Sequence, residues 1–317
     1  MPDSVAVVVD PHAGGGRTRS IWPLYEKAIR RRFGKVTVDV IGHSGGVGDS
    51  VVAAAGLDHD LVIIVGDTGS ANEAAEALLA SGWTIAELPT IALLPVGAGA
   101  DFTRSLGYSG SADAVVDAIA DGHDAVIDVI RVTFVDDSGA PRVRHMVNTA
   151  GMGLSSRIAR KANAARLNRM LSSHLVFFPK TIRALIAFRF PRVRVTVNGH
   201  EPIGTKIAEI VIANGRFYGG GMAIAPDAEL DDGEFDLVVI RAQSKWRLID
   251  QINRIYKGHH RNAPFVDILK GTHARVEPVG AGETLGLVLD GIPVGGAPMQ
   301  AEILKAAFKI RAAARIV

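Results

Sequence analysis

Four short apolar runs in the first hundred residues, each followed by a turn, restrict the fold of this chain more than any other feature. The runs are 5–9, 36–41, 61–65 and 90–95, and helix-like stretches at 21–33, 51–55 and 72–80 alternate with them. Continuous apolar strands between helices predict a parallel sheet covered on both faces. Ligands of such sheets sit beyond the carboxyl ends of the strands. Three of these ends carry glycine-rich loops: Asp10-Pro11-His12-Ala13-Gly14-Gly15-Gly16, Gly66-Asp67-Thr68-Gly69-Ser70 and Gly97-Ala98-Gly99-Ala100-Asp101.

Backbone N–H groups in such turns, together with the helix start that follows, make a nest for an anion such as phosphate. The plainer alternative is that glycine ends a strand for steric reasons. Three such loops after buried strands favour phosphate over plain turns. None is a P-loop, because no Gly-Lys-[Ser/Thr] follows at the needed spacing. Gly97-Ala98-Gly99 resembles the opening of a dinucleotide fingerprint, but Phe102 holds the place of its third glycine. Ser70 and Glu73 read equally as a capping box at the start of a helix, each side chain satisfying an orphan N–H.

From about residue 125 the pattern changes. Segments 126–134, 142–148, 193–197, 206–213, 235–241, 273–276 and 285–289 read as strands without intervening helices, which predicts an antiparallel sandwich. Helical insertions are expected at about 154–188 and 244–257. At 317 residues the chain exceeds one ordinary core. The expected division is an α/β, doubly wound, mainly parallel domain over 1–127 and a mainly antiparallel β-sandwich over 128–299. The absence of cysteine excludes disulfide scaffolds, Cys-ligated zinc, iron–sulfur clusters and thiol catalysis.

Charge is nearly balanced overall, 35 Lys and Arg against 33 Asp and Glu, yet it is unevenly placed. Between Asp137 and Glu201 there are twelve Lys or Arg and no acid, interleaved with Leu171, Leu175, Phe177, Phe178 and Phe188. A basic, Phe-bearing helical stretch is the pattern of an interfacial segment on anionic lipid. Arg157, Arg160, Lys161 and Arg166 are its expected membrane-surface residues. A solvated insertion packing its apolar face on the sandwich is the alternative. No stretch has the roughly 20 mainly apolar residues of a span, and the N-terminus lacks a signal-peptide pattern. The expected location is cytoplasmic and peripheral to a membrane. No recognition motif supports nucleic acid as a partner.

The segment from Asn214-Gly215-Arg216-Phe217-Tyr218-Gly219-Gly220-Gly221 through Pro226 to Asp231-Asp232-Gly233 resembles the signature of the diacylglycerol kinase and sphingosine kinase superfamily, bacterial lipid kinases included. Asp10–Gly14 is similar to the family's Asn-Pro-x-Ser-Gly, and 66–73 to its Gly-Gly-Asp-Gly-Thr-x-Asn-Glu. Residues 95–104 resemble Pro-x-Gly-Thr-x-Asn-Asp-Phe-Ala-Arg, 148–153 Asn-x-x-x-x-Gly, and Asp290-Gly291 the late Asp-Gly-Glu. The resemblance implies a nucleotide domain like that of NAD kinase, a β-sandwich with lipid contacts, and a C-terminal tail (about 300–317) returning to the first domain. It implies phosphoryl transfer from ATP, with Mg2+, to a lipid hydroxyl; a homodimer is one assembly open to it.

By the same resemblance, Asp10, Gly14, Gly66, Asp67, Thr68, Gly69, Ser70, Asn72, Glu73, Gly97 and Gly99 would hold the nucleotide. Asp232, with the carbonyls of Glu229 and Glu234, would hold magnesium, a reasonable hard-cation set; an acidic turn is the alternative for Asp231-Asp232-Gly233.

Several positions depart from the family. Asp67 stands where it has its second glycine and Thr68 where it has the aspartate. Ala98 and Ala100 replace a threonine and an asparagine, and Ile292 replaces the glutamate of Asp-Gly-Glu, the proton acceptor of bacterial members. A general base contributes about 10²–10⁴-fold. Asp290 and Asp101 are then the remaining catalytic carboxylates. Three functions follow: a lipid kinase, a non-catalytic nucleotide- or lipid-binding relative, and a dinucleotide enzyme using the Gly97 loop.

Overall fold

The apolar runs become the central strands of a parallel sheet. In the computed structural model of the chain, residues 4–43, 45–57, 59–96, 100–164, 184–280 and 283–313 are described, with 162–164, 252 and 253 as backbone only. The chain divides into two units, Met1–Val129 with Lys305–Val317, and Ile130–Leu304. An N-terminal α/β architecture is followed by a β-rich C-terminal one.

In unit 1, β1 (Val5–Val9) pairs in parallel with both β2 (Val36–Val40) and β3 (Leu61–Gly66), so that Val7 faces Val38 on one side and Ile63 on the other. Strand β4 (Thr90–Pro95) continues the sheet beyond β3, with Ile63 opposite Ala92. The far end of β16 (Ile292–Ala312) closes that side, Ile310 pairing with Ile91. Every residue of β1 and β3 is buried, as a strand between two helical layers demands.

Helices α2 (Thr18–Arg32) and α6 (Ala112–Asp121) pack together, as do α3 (Val47–Ala55) and α4 (Thr68–Ala80). The latter pair is close: a Cβ on Gly48 would lie 2.8 Å from Ala77 Cβ. The strand order β2-β1-β3-β4 reverses direction at β1, which makes the gap between β1 and β3 the topological switch point where α/β sheets bind ligands.

In unit 2 the strands pair antiparallel. The order β13 (Val266–Gly271), β12 (Phe235–Arg241), β9 (Ile203–Ala213), β7 (Thr149–Gly153), β15 (Gly286–Leu289) leads to the first part of β16. Strand β8 (Arg192–Val197) pairs with β9 and with β14 (His273–Pro278), and β5 (His123–Val135) pairs with β6 (Pro141–Met146). Alternate residues serve two cores, as the two-residue period of a strand requires. Ile210, Ile212, Leu237 and Val239 enter one with Met152, Val195 and Leu287, while Val211, Val238 and Ile240 enter the other. Helix α8 (Lys245–Tyr256) covers the second core with Leu248 and Ile255.

Among the described residues, β7, β13 and β16 escape the sequence reading, as does the short antiparallel pair Phe217–Tyr218 and Met222–Ala223. Helices also begin earlier than expected, α4 at Thr68 and α2 at Thr18, because their first turns are made of glycine, serine and threonine and carry little apolar periodicity.

Candidate active site

The loops after β1 and β3 meet at the switch point through one backbone to side chain bond and one bond between side chains. The turn α1 (Ala13–Gly16) is helical only in name, since Gly14 and Gly15 have φ of +59° and +70°. Gly14 is required twice over, for that backbone and because a Cβ there would approach Val96 Cγ1 to 2.7 Å. Asp67 caps α4: its Oδ1 accepts from the N–H groups of Gly69 at 3.0 Å and Ser70 at 3.3 Å. Its Oδ2 accepts from the N–H of Gly14 at 3.0 Å. The Ser70 hydroxyl accepts from the Asp67 N–H at 3.3 Å and donates to Asp10 Oδ2 at 3.1 Å. Asp10 Oδ1 in turn accepts from the His12 N–H at 2.8 Å. Gly66 leaves room for this network, because a Cβ on it would meet Ser70 Oγ at 2.4 Å.

The capping box is therefore Asp67 with Ser70, in place of the expected Ser70 with Glu73. Glu73 instead accepts from the Val47 N–H, at the first residue of α3, at 3.3 Å. The structure gathers Asp10, Gly14, Gly66, Asp67, Gly69 and Ser70. Thr68 and Asn72 are buried at the start of α4. Gly97 and Gly99 lie outside the described residues. Asp101 is the first residue of α5 (Asp101–Ser105) and is buried.

In unit 2, Asp290 and Gly291 form the two-residue turn between β15 and β16, Leu289 pairing with Ile292. Their φ values are +48° and +85°, and positive φ at both positions is what a type I′ hairpin turn needs. Both Asp290 carboxylate oxygens are engaged: Oδ2 accepts from the Val147 N–H at 2.9 Å, Oδ1 from Asn148 and Thr149, each at 3.0 Å. The Asn148 amide donates to the Phe217 carbonyl at 3.1 Å and the Asn214 amide to the Val147 carbonyl at 3.0 Å. Three motifs distant in sequence thus form one buried knot.

At the expected magnesium position, Asp232 Oδ1 accepts from the Glu234 N–H at 3.0 Å and Oδ2 is ion-paired with Lys270. Glu229 is exposed. Lys270 stands opposite Asp236 across β12 and β13. Burial pushes the Asp236 carboxyl up to about 6, with Asp232, Asp227 and Glu234 adding to the rise and Lys270 opposing it. A resident ammonium already neutralises the one side chain expected to hold magnesium. Among the described residues no group of three or more His, Asp or Glu side chains is gathered for a metal ion. In this arrangement the Asp232 carboxylate is held by Lys270 and by the Glu234 N–H.

Glu209 escapes the sequence reading. It lies in β9 opposite Gly153, is buried, and reaches the start of α7 (Leu154–Ala164), where it accepts from the Ser155 N–H at 2.9 Å and from the Ser155 hydroxyl. Tyr218 Oη is 3.4 Å away. Burial raises its carboxyl to about 8, against the lowering effect of these donors. A lone acid inside Ile207-Ala208-Glu209-Ile210-Val211 was the available signal.

Of the expected membrane-surface residues, Arg160 is tied to Asp137 and to the Gly295 carbonyl at 2.7 Å. Arg157 is partly exposed and Lys161 exposed; Arg166 lies outside the described residues. A second basic surface appears on α8. Trp246 is 78% exposed and Ile186 51% exposed, and the Lys245 ammonium donates to the Ile186 carbonyl. Arg247 lies over the Phe265 ring at 5.9 Å. Among the described residues no helix is long and apolar enough to cross a membrane.

The family model described as "Diacylglycerol kinase catalytic domain" matches residues 4–132, and that described as "YegS C-terminal NAD kinase beta sandwich-like domain" matches 148–312. The chain is 24% identical over 294 residues to a "Diacylglycerol kinase" of Bacillus subtilis (strain 168), covering 90% of this chain and 88% of that one. It is 24% identical over 311 residues to a "Probable lipid kinase YegS-like" of Yersinia enterocolitica, covering 98% and 97%. A crystal structure of a diacylglycerol kinase from Bacillus anthracis str. Sterne superposes with a TM-score of 0.72 at 19% identity, over 100% of this chain and 99% of that one. The two matched regions take in most of the chain, and it belongs to the family of diacylglycerol kinase-like lipid kinases.

Proposed function

We propose that the chain transfers the terminal phosphoryl group of ATP, taken with magnesium, to the hydroxyl of a diacylglycerol- or sphingosine-like lipid. The observation that carries this reading is the pair of phosphate-type loops at the β1/β3 switch point in a member of a lipid kinase family. In such transfer the protein contributes positioning and charge stabilisation, with a base for the attacking hydroxyl. The lipid would be met at an anionic membrane surface, with Lys161 and Arg157 on α7 and Trp246, Lys245 and Arg247 on α8 at the interface; interfacial tryptophan beside basic residues suits a headgroup layer. The protein would then work peripherally, from the cytoplasmic side.

A second reading is a non-catalytic relative that binds nucleotide or lipid. Two observations favour it. Ile292 accepts no proton where the family's glutamate does. Asp290, the nearest carboxylate in sequence, has both oxygens engaged by backbone N–H groups. Without its base a kinase of this kind is slower by about 10²–10⁴-fold.

Incubation with labelled ATP, magnesium and mixed anionic vesicles carrying candidate lipids separates the two. Transfer by the wild type rules out the non-catalytic reading. No transfer by the wild type, with transfer appearing in Ile292→Glu, identifies a scaffold that has lost its base. No transfer by either sinks the kinase reading.

A further inference from the structure

We infer that Asp67 is an internal anion seated in the phosphate nest of unit 1, so that a nucleotide must displace this carboxylate before its phosphates engage the loops. The inference rests on the reading of these loops as nucleotide-binding. The donors are specific. Gly69 and Ser70 supply first-turn N–H groups of α4, which have no partner inside the helix. Gly14 supplies a third from the other side of the switch point. All three end on the two oxygens of one carboxylate, at 3.0, 3.3 and 3.0 Å.

An ordinary helix cap accounts for the first two bonds, and it does not account for the third. Gly14 lies 53 positions away in sequence and reaches Asp67 only because its backbone adopts φ of +59°. Carboxylate and phosphate oxygens accept the same charge-assisted bonds from such N–H groups. Asp67 therefore satisfies the nest without a ligand, and its charge opposes an arriving phosphate. Asp10, joined to Asp67 through the Ser70 hydroxyl, adds a second carboxylate to the same rim.

The test compares wild type with Asp67→Gly and Asp67→Asn, titrated calorimetrically with ATP, inorganic pyrophosphate and adenosine. Glycine and asparagine are both accepted at a helix N-cap, so α4 keeps its start, and thermal melts confirm that each variant folds. The expected result is that ATP and pyrophosphate bind about tenfold or more tightly to Asp67→Gly than to wild type, that being the scale of exchanging one charged acceptor. Asp67→Asn, which keeps an acceptor and drops the charge, falls between them. Adenosine binds all three alike. ATP binding to the wild type that is unchanged or weakened in both folded variants overturns the inference and leaves the nucleotide reading standing. Absence of ATP binding in all three overturns both.

Discussion

Asp290 holds the backbone of Asn148 across 142 positions of sequence, its Oδ1 3.0 Å from the Asn148 nitrogen. The bond makes the Asp-Gly pair a structural fastener as well as a turn. Replacing Asp290 by alanine strands the N–H groups of Val147, Asn148 and Thr149 in a buried site and places a non-glycine residue without a local hydrogen-bonding side chain at positive φ. The expected loss of stability is about 3 kcal/mol or more. Asp290→Asn tolerates the left-handed backbone and keeps one acceptor oxygen, so it should lose about half as much. Urea unfolding of the two variants checks the order; equal losses would mean that the carboxylate oxygens do not matter.

Glu209 predicts a pH dependence. Its carboxyl is raised from an ordinary 4.5 to about 8 by burial. Below the ordinary value both folded and unfolded chains hold the proton, and the contribution is at its most favourable. As pH rises towards 8 the unfolded chain releases the proton first, and stability falls across that window. Glu209→Gln mimics the neutral acid, so its melting temperature should change less than that of wild type between pH 5 and 8. Parallel melting curves across this range would refute the assignment.

Gly153 leaves no room for a side chain. It has φ of +126°, and a Cβ would stand 2.6 Å from the Ala208 carbonyl oxygen. Because the obstacle is backbone of the paired strand β9, it cannot rotate away. Gly153→Ala should cost about 3 kcal/mol or more, read as a lowered urea midpoint with an unchanged slope.

Trp246 and the basic residues beside it predict vesicle binding. Trp246→Ala should weaken co-sedimentation with anionic vesicles several-fold and leave the melting temperature nearly unchanged, since the side chain is 78% exposed. Arg160→Ala should do the reverse, affecting stability more than vesicle binding, because its guanidinium is engaged by Asp137 and Gly295.

The sequence made the sheet of unit 1 legible because 5–9, 61–65 and 90–95 are unbroken apolar runs, and burial on both faces leaves no other composition. Strand β16 was hidden because Pro293-Val294-Gly295-Gly296-Ala297-Pro298 carries the composition of a loop, although Gly295 and Gly296 pair with Leu287 and Gly286. Strand β7, Thr149-Ala150-Gly151-Met152-Gly153, has weak strand propensity and is held by β9 and β15 on either side. The loops at Asp10 and Asp67 were legible from the glycines that follow apolar runs. Their connection was not, because the Gly14 to Asp67 bond joins residues that only the sheet brings together. The Lys270 to Asp232 pair was hidden for the same reason, since Lys270 lies on β13 and Asp232 in the turn before β12, far apart in sequence.

Strand β16 gives unit 1 an unusual order of assembly. Ile310 pairs with Ile91, yet it leaves the ribosome only after all of 130–304 has been made. Until then β4 has an open edge, an exposed template for mispairing with another chain. The first unit must therefore wait for the second during synthesis. A break anywhere within 130–304 would cut the covalent link between it and its closing strand, even though every residue of the β1 and β3 loops lay on the intact side.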